Sequence, residues 1–310
     1  MRKARKYLFG PVASRRLGRS LGADIVPLKR CTQNCVYCQL GVDGVQTIER
    51  KEYVPIAEVL SELREEIAEG LKADHITLSG SGEPTLNSRL GELIDGIKTL
   101  TDIPTAVITN GTLFKVPKVR ADCAKADVVL PSLDAGDEEV FSKINCPHSN
   151  ISFCDLVDGL CKFRSEFFGQ IWLEVFFVEG VNTGADQIEK IKAVVQQIRP
   201  DKVQLNTAVR PTSERSVIRV KPEKLRSIAE QLGPNAEVIA DYSKVADIAD
   251  AGSVREKILA MLRRRPCNMD DICNGLGIGR VEMAKVIAYL EGKGIIESES
   301  SGGKIFFRLI

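Results

Sequence analysis

This sequence predicts an α/β fold: a parallel βα core followed by a small winged helix-turn-helix domain. Three observations lead there. Between residues 22 and 206, short β-branched runs alternate with amphipathic helical stretches, the pattern of parallel βα units that build an open sheet or a barrel. After Gly252 the composition changes to three short helical stretches and a hairpin. The length, 310 residues, suits about two domains.

Residues 1–21 form a basic N-terminal segment. The core, 22–206, holds the expected strands Ala23–Val26, His75–Ser79, Ala106–Thr109, Val128–Ser132, Ile171–Phe177 and Val203–Asn206. Between them Ile56–Gly70, Leu86–Leu100, Val116–Ala124, Ile151–Phe167 and Ala185–Ile198 read as helices. In the first, Val59, Leu60, Leu63, Ile67 and Leu71 recur at helical spacing with Glu58, Glu62, Glu65 and Glu66 opposite. A further helix is expected to start near Asp137. Residues 207–252 form a less regular extension and linker, with a short helix over 223–232 and a candidate strand at Val238–Ala240. In 253–310, helices are expected over 254–264, Met269–Gly275 and Arg280–Gly292. A hairpin, Ile295–Glu299 and Lys304–Leu309, then turns on Ser300-Ser301-Gly302-Gly303. Three helices and a two-stranded wing make the winged-helix arrangement.

Apolar residues make up 44% and charged residues 27%, an ordinary globular balance. No stretch approaches the roughly 18 uninterrupted apolar residues of a membrane span, and the basic start lacks a secretory h-region. A cytoplasmic protein with no membrane partner is the expectation. The net charge of +1 is segregated: residues 1–30 carry +8, residues 253–310 carry +3 and the middle −10. A basic rim on an acidic body suits an anionic partner or simple solubility. Nine cysteines are an odd number in a long chain, which argues against a disulfide framework.

Six of those cysteines are scattered; Cys31, Cys35 and Cys38 are not. They form a C-x3-C-x2-C triad after the first strand, and three thiolates so close can wrap one metal centre. Soft sulfur selects zinc, copper(I) or an iron–sulfur cluster. A closed zinc site wants four ligands, and the only histidines, His75 and His148, lack metal spacing. Three ligands on a four-iron cluster leave one iron open to an exogenous ligand.

The triad resembles the signature of the radical S-adenosylmethionine (SAM) superfamily. Gly80-Ser81-Gly82-Glu83-Pro84-Thr85 is similar to that family's G-G-E-P segment, with Ser81 in place of a glycine. Thr109-Asn110-Gly111, Ser132-Leu133-Asp134-Ala135 and Gly180-Val181-Asn182 follow in the family's order. The opening Phe9-Gly10-Pro11-Val12, Ser14-Arg15-Arg16-Leu17-Gly18 and Ser20-Leu21-Gly22 resembles a branch of stand-alone iron–sulfur oxidoreductases grouped with the wyosine (modified tRNA guanosine) synthases. Those synthases carry extra N-terminal cysteines or a flavodoxin domain; residues 1–30 here contain no cysteine.

The resemblance implies a partial parallel (βα)6 barrel holding a [4Fe-4S] cluster and S-adenosyl-L-methionine. It implies reductive cleavage of that cofactor to a 5′-deoxyadenosyl radical, which abstracts hydrogen from substrate. An external one-electron donor, such as flavodoxin or ferredoxin, would drive it. Cys31, Cys35 and Cys38 would be the metal ligands. Gly80, Ser81, Gly82, Glu83 and Pro84 would meet the methionyl end of the cofactor, with Glu83 on its ammonium or supporting the turn. Tyr37, Asn110, Ser132, Asp134, Glu174 and Asn206 complete the expected cofactor set.

Simpler roles stand beside several of these. Asp134 suits a turn into the next helix, Asn206 a turn cap, Glu174 an edge-facing carboxylate, and Tyr37 a shield for the cluster. Arg15, Arg16 and Arg19 suit phosphate recognition or a solvated loop. In the C-terminal domain, Arg280, Glu282, Lys285 and Glu291 make a mixed recognition face. Arg263-Arg264-Arg265 suits a helix C-terminus. Three functions compete: a radical SAM enzyme for tRNA or another anionic macromolecule, one for a peptide or small metabolite, and an iron–sulfur DNA-binding redox regulator.

Overall fold

A computed structural model describes residues 5–40, 44–209, 212–214, 216–240, 254–276, 283, 286–287 and 290–310. Its strands in chain order are β1 (Leu8–Ser14), β2 (Gly18–Ala23), β3 (Arg30–Cys31), β4 (Val45–Gln46), β5 (His75–Leu78), β6 (Thr105–Thr109), β7 (Val128–Pro131), β8 (Gln170–Phe177), β9 (Lys202–Thr207), β10 (Ala236–Val238), β11 (Cys267–Asn268), β12 (Ile296–Ser301) and β13 (Lys304–Leu309). The helices are α1 (Ile56–Ala68), α2 (Leu90–Leu100), α3 (Pro117–Cys123), α4 (Glu138–Asn145), α5 (Phe153–Glu166), α6 (Ala185–Ile198), α7 (Pro222–Leu232), α8 (Val254–Leu262) and α9 (Met269–Leu276).

The main sheet runs β1-β2-β5-β6-β7-β8-β9-β10. All neighbours from β2 to β10 are parallel, while β1 lies antiparallel on the β2 edge. Because the strands stand side by side in chain order, every crossover advances in the same direction. Such winding puts the helices on one face and curls the other inward, the geometry of a barrel rather than of a doubly wound sheet. This is an α/β fold with a mostly parallel central sheet, and it agrees with a partial barrel.

Period-two alternation sorts the side chains. On β8, Ile171, Leu173, Val175 and Phe177 join the large core under the helices, with Val107, Val129, Val203 and Leu205 from neighbouring strands. Trp172 takes the inner face, where it packs with Leu17, Ala106, Val128 and Leu130 in a separate cluster. That cluster closes one end of the interior. Two and four residues further along β8, Glu174 and Phe176 line an open cavity at the other end.

The helices form where apolar spacing and caps coincide. α1 buries Ile56, Val59 and Leu63. Asp137 caps α4, accepting from the Val140 amide at 3.0 Å, and Ser152 caps α5 through Asp155 at 3.1 Å. Each satisfies an amide that the helix itself cannot. After residue 253, α8 and α9 pack with a three-stranded sheet in the order β11-β13-β12 around Ile258, Leu262, Ile272 and Phe307. Val12 of β1 packs against this second core, so the C-terminal unit seats on the antiparallel edge of the main sheet.

Several expectations need correction. The basic N-terminal segment 1–21 contributes to the main sheet, since Leu8–Ala23 forms the β1–β2 hairpin there. The first parallel strand is therefore Gly18–Ala23, not Ala23–Val26. It pairs Ser20 with His75 and Ala23 with Leu78, leaving Asp24 to Val26 free to turn toward the cysteines. The candidate strand at Val238–Ala240 lies two residues earlier, where it pairs Ala236 with Val203. α2 starts at Leu90, because Pro84–Leu86 makes a 3-10 turn instead. The expected third C-terminal helix, with Arg280, Glu282 and Lys285, falls largely outside the described residues, as do Arg210-Pro211 and the linker 241–253. No helix among the described residues is long and apolar enough to cross a membrane.

Candidate metal and cofactor centre

A cavity of about 420 Å³ opens at the C-terminal ends of the parallel strands, where barrel sites are built. Cys31, Cys35 and Cys38 stand together on its wall. Remote backbone holds their loop. The Asn34 amide donates to the Asn145 and Cys146 carbonyls at 3.1 Å each, and the Val36 amide to the Ile144 carbonyl at 2.9 Å. From the far side, Ser213 donates its hydroxyl to the Cys35 and Val36 carbonyls at 3.1 and 2.8 Å and its amide to the Cys38 carbonyl at 2.8 Å. Two side-chain amides aim at sulfur: Asn110 Nδ2 lies 3.5 Å from Cys31 Sγ and Asn145 Nδ2 3.5 Å from Cys35 Sγ.

The Gly80–Pro84 turn is built against this loop. Gly80 has φ +144°, and a Cβ there would lie 2.8 Å from the Asp24 carboxylate. A Cβ on Gly82 would lie 2.2 Å from the Arg30 carbonyl oxygen, so only glycine lets the two backbones approach. Lys29 N donates to Ser81 O at 2.5 Å, and Glu83 N to Arg30 O at 2.9 Å. Ser81 itself is tied down, its amide donating to Asp24 at 3.0 Å and its hydroxyl to the other carboxylate oxygen. The Glu83 carboxylate accepts from the Thr85 amide and hydroxyl at 3.0 and 2.6 Å, from the Thr109 hydroxyl at 2.6 Å and from the Asn110 amide at 2.8 Å. Burial raises its pKa against those donors. Glu83 thus supports the turn and positions Asn110.

Gly80, Gly82, Glu83, Asn110, Ser132, Glu174, Asn206 and Tyr37 all line the cavity. Ser81 and Pro84 brace the turn behind them, and Asp134 lies beneath the wall. The Asp134 carboxylate accepts from Tyr37 Oη at 2.5 Å, Asn145 Nδ2 at 2.7 Å and the Phe176 amide at 2.8 Å. Burial pushes it up to about 6 against these bonds. It holds Tyr37, whose ring stacks on Phe176 with centroids 3.9 Å apart. Glu174 faces inward and pairs with Arg16, and Asn206 Nδ2 donates to it at 2.9 Å. Burial alone would raise Glu174, but Arg16, Asn206 and Arg15 outweigh it and hold the carboxyl below its usual range.

Among the described residues, no three His, Cys, Asp or Glu side chains converge closely enough to grip a single metal ion. The three cysteines line one cavity instead. Burial pushes Cys31 up to about 12 and Cys35 well above the ordinary thiol value, so both are neutral until a metal centre makes them thiolates. Lys29 supplies the test of fit. Its side chain lines the same cavity, is 2% exposed, and its Nζ has no hydrogen-bond partner. A buried ammonium without an anion is costly, and a thiolate-bound cluster is an anion in that cavity. The residues fit a cluster.

Sequence reasoning missed Lys29, Asn145, Met261, Arg264 and Arg265 as cavity or loop residues. Lys29, two positions before Cys31, was the readable one. Arg264 and Arg265 follow the last turn of α8 and turn into the cavity wall, whereas the sequence suggested cations on a helix end. His75 bonds the Leu17 carbonyl at 3.0 Å and is not among the residues that line the cavity. The backbone of His148 donates to Thr32 O at 2.9 Å, so it secures the cysteine loop without presenting its ring.

Comparison with known proteins agrees with this geometry. The sequence profile described as "Radical SAM superfamily" matches residues 25–188. UPF0026 protein MJ1312 of Methanocaldococcus jannaschii is 30% identical over 96% of this chain and 94% of its own length. A UPF0026 protein of Helicobacter pylori is 39% identical over 66% of this chain and 67% of its own. GTPase Obg of Brachyspira hyodysenteriae is 36% identical over 97% of this chain, which spans only 45% of that protein. The G-x4-G-K-S/T phosphate loop expected of a GTPase occurs nowhere in the present sequence. Among solved structures, Streptococcus suis SuiB aligns with TM-score 0.54 and 16% identity over 71% of this chain and 49% of its own. A radical SAM methyltransferase from Sphaerobacter thermophilus aligns with TM-score 0.53 and 18% identity over 71% and 65%. These two speak to the fold alone. With the profile spanning more than half the chain, the chain belongs to the radical SAM superfamily, whose members bind a [4Fe-4S] cluster and S-adenosylmethionine.

Proposed function

We propose that this enzyme cleaves S-adenosylmethionine reductively in the strand-end cavity and directs hydrogen abstraction at an anionic substrate, with tRNA or another anionic macromolecule as the leading class. One observation carries it: the cavity that gathers Cys31, Cys35 and Cys38 also gathers Arg15, Arg16, Lys29, Arg264 and Arg265, against two carboxylates, Glu83 and Glu174. When bound, the cluster and cofactor supply the one-electron C–S cleavage; the protein orients them and keeps water out. In that division Cys31, Cys35 and Cys38 hold iron, and the Gly80–Gly82 backbone meets the cofactor's methionyl end. Tyr37 and Phe176 wall the cavity, and Asn110 and Asn145 donate toward sulfur.

The similarity of the N-terminal segment to the wyosine-synthase branch supports an RNA substrate. The α8–β13 unit supports a winged-helix reading, with β12 and β13 as the wing. A small phosphorylated metabolite is the second reading, favoured by a partial match, 30% identity over 42% of this chain, to a probable GTP 3′,8-cyclase of Saccharolobus islandicus. A redox regulator would leave the cofactor-sized cavity without a use. Flavodoxin or ferredoxin is the proposed electron donor, and a cytoplasmic setting goes with it.

The experiment is anaerobic reconstitution, iron counting and incubation with dithionite and S-adenosylmethionine. The wild type should hold four irons per chain and release 5′-deoxyadenosine slowly without substrate, and a Cys31→Ala/Cys35→Ala/Cys38→Ala variant should do neither. A triple variant with full iron would overturn the ligand assignment.

A further inference from the structure

We propose that the end of α8 completes the substrate site in cis: Arg264 and Arg265, together with Arg15 and Arg16 of the β1–β2 turn, hold a phosphate group of the substrate over the cluster loop. This rests on the radical SAM reading and adds the substrate chemistry and the part of the chain that recognises it. The four guanidinium groups come from opposite ends of the sequence yet line one cavity.

The approach is built in. The Arg264 guanidinium lies 3.4 Å over the Phe9 ring centroid, its Nη1 donates to the Ala260 carbonyl at 2.6 Å, and Nη2 stands 3.8 Å from Asp24. Its Nε–H is buried with no acceptor. α8 is thereby anchored on β1, and Arg264 keeps a donor to spare. Arg15 donates to Asn206 Oδ1 and the Ile239 carbonyl at 3.3 Å each. Arg16 is matched by Glu174.

Charge crowding gives the direction. Burial pushes Arg15 down to about 10, with further push from Arg16 and Arg265, despite the opposing Glu174 and Asp271. Burial likewise takes Arg264 to about 10. Both therefore stay cationic near neutral pH. Like charges gathered in a half-closed cavity repel one another, and an incoming anion reverses the sign of that term. Guanidinium forks match tetrahedral phosphate oxygens, and several can share one phosphate. A neutral peptide or amine substrate would leave the repulsion standing.

The probe is inorganic pyrophosphate, titrated calorimetrically into the full chain. The wild type should bind it. Arg265→Gln and Arg265→Glu should weaken binding by about ten- to hundredfold, the loss of one or two charge-assisted hydrogen bonds, and Arg265→Lys should recover part of it. Arg308→Gln, on the exposed face of β13, should match the wild type. Adenosine 5′-monophosphate and a short oligoribonucleotide without terminal phosphate then distinguish the source. Competition by the mononucleotide assigns a small phosphorylated substrate, and competition by the oligonucleotide alone assigns RNA. No pyrophosphate binding by the wild type, equal binding by the Arg265 variants, or displacement by S-adenosylmethionine overturns the proposal. Cofactor binding and iron content in the same preparation report the radical SAM reading separately, so either can fail alone.

Discussion

Glu83 spends both carboxylate oxygens on protein donors: one on Thr85 and Thr109, the other on the Asn110 amide. Glu83→Gln would therefore set an amide donor against at least one of them. A buried donor facing a donor costs about 1–3 kcal/mol, and the damage should reach the cluster, because Asn110 reaches toward Cys31 Sγ and donates to the Thr32 hydroxyl at 2.7 Å. Chemical denaturation should show that loss and iron analysis a reduced content; a variant with wild-type iron and weaker cofactor binding would return Glu83 to direct contact with the ammonium. At this scale the sequence was most legible where spacing alone dictates chemistry. Three cysteines in eight residues have few other uses, and Gly80 and Gly82 sit where only a missing side chain fits. Lys29, Arg264 and Arg265 were illegible in their roles, because what a cation faces depends on where distant chain returns. Asp134 was legible as a strand-end carboxylate but not as the brace of Tyr37, a contact 97 residues long.

At the scale of elements, a cap is the simplest test. Asp137 accepts from the Val140 amide, and that bond, with Gln187 and Lys190, holds its carboxyl below the ordinary value. Asp137→Ala should cost about 1 kcal/mol. A depressed folded pKa means that the contribution is full above the unfolded value near 3.9 and vanishes as pH falls through the folded value. Urea melts of the two proteins should therefore differ at pH 7 and converge on acidification; a constant gap would show that the cap acts without its charge. α6 was readable to its end residues, since its apolar positions repeat at helical spacing between a glycine and a proline. β1 and β2 were not, because their stretch is rich in glycine and arginine and lacks two-residue alternation. They are strands because β5 offers a parallel edge.

For the whole molecule, the C-terminal unit is the testable part. Cutting after Ala240 removes what packs on Phe9 and Val12 and takes one wall from the cavity, while every support of the cysteine loop described above lies before that point. The shortened chain should still load iron, melt roughly 5 °C or more lower because apolar surface on β1 is left open to water, and bleach faster in air. Identical melting would show that the unit only rests on the sheet. The order in which the molecule is made follows from one of those supports. Ser213 holds the Cys35 carbonyl across 178 positions of chain. At about 5–20 residues per second of synthesis, the thiols leave the ribosome roughly 10–35 s before that clasp exists. Iron delivered during translation meets an unclasped loop, so the centre is expected to be loaded late or its three reduced thiols shielded in the meantime.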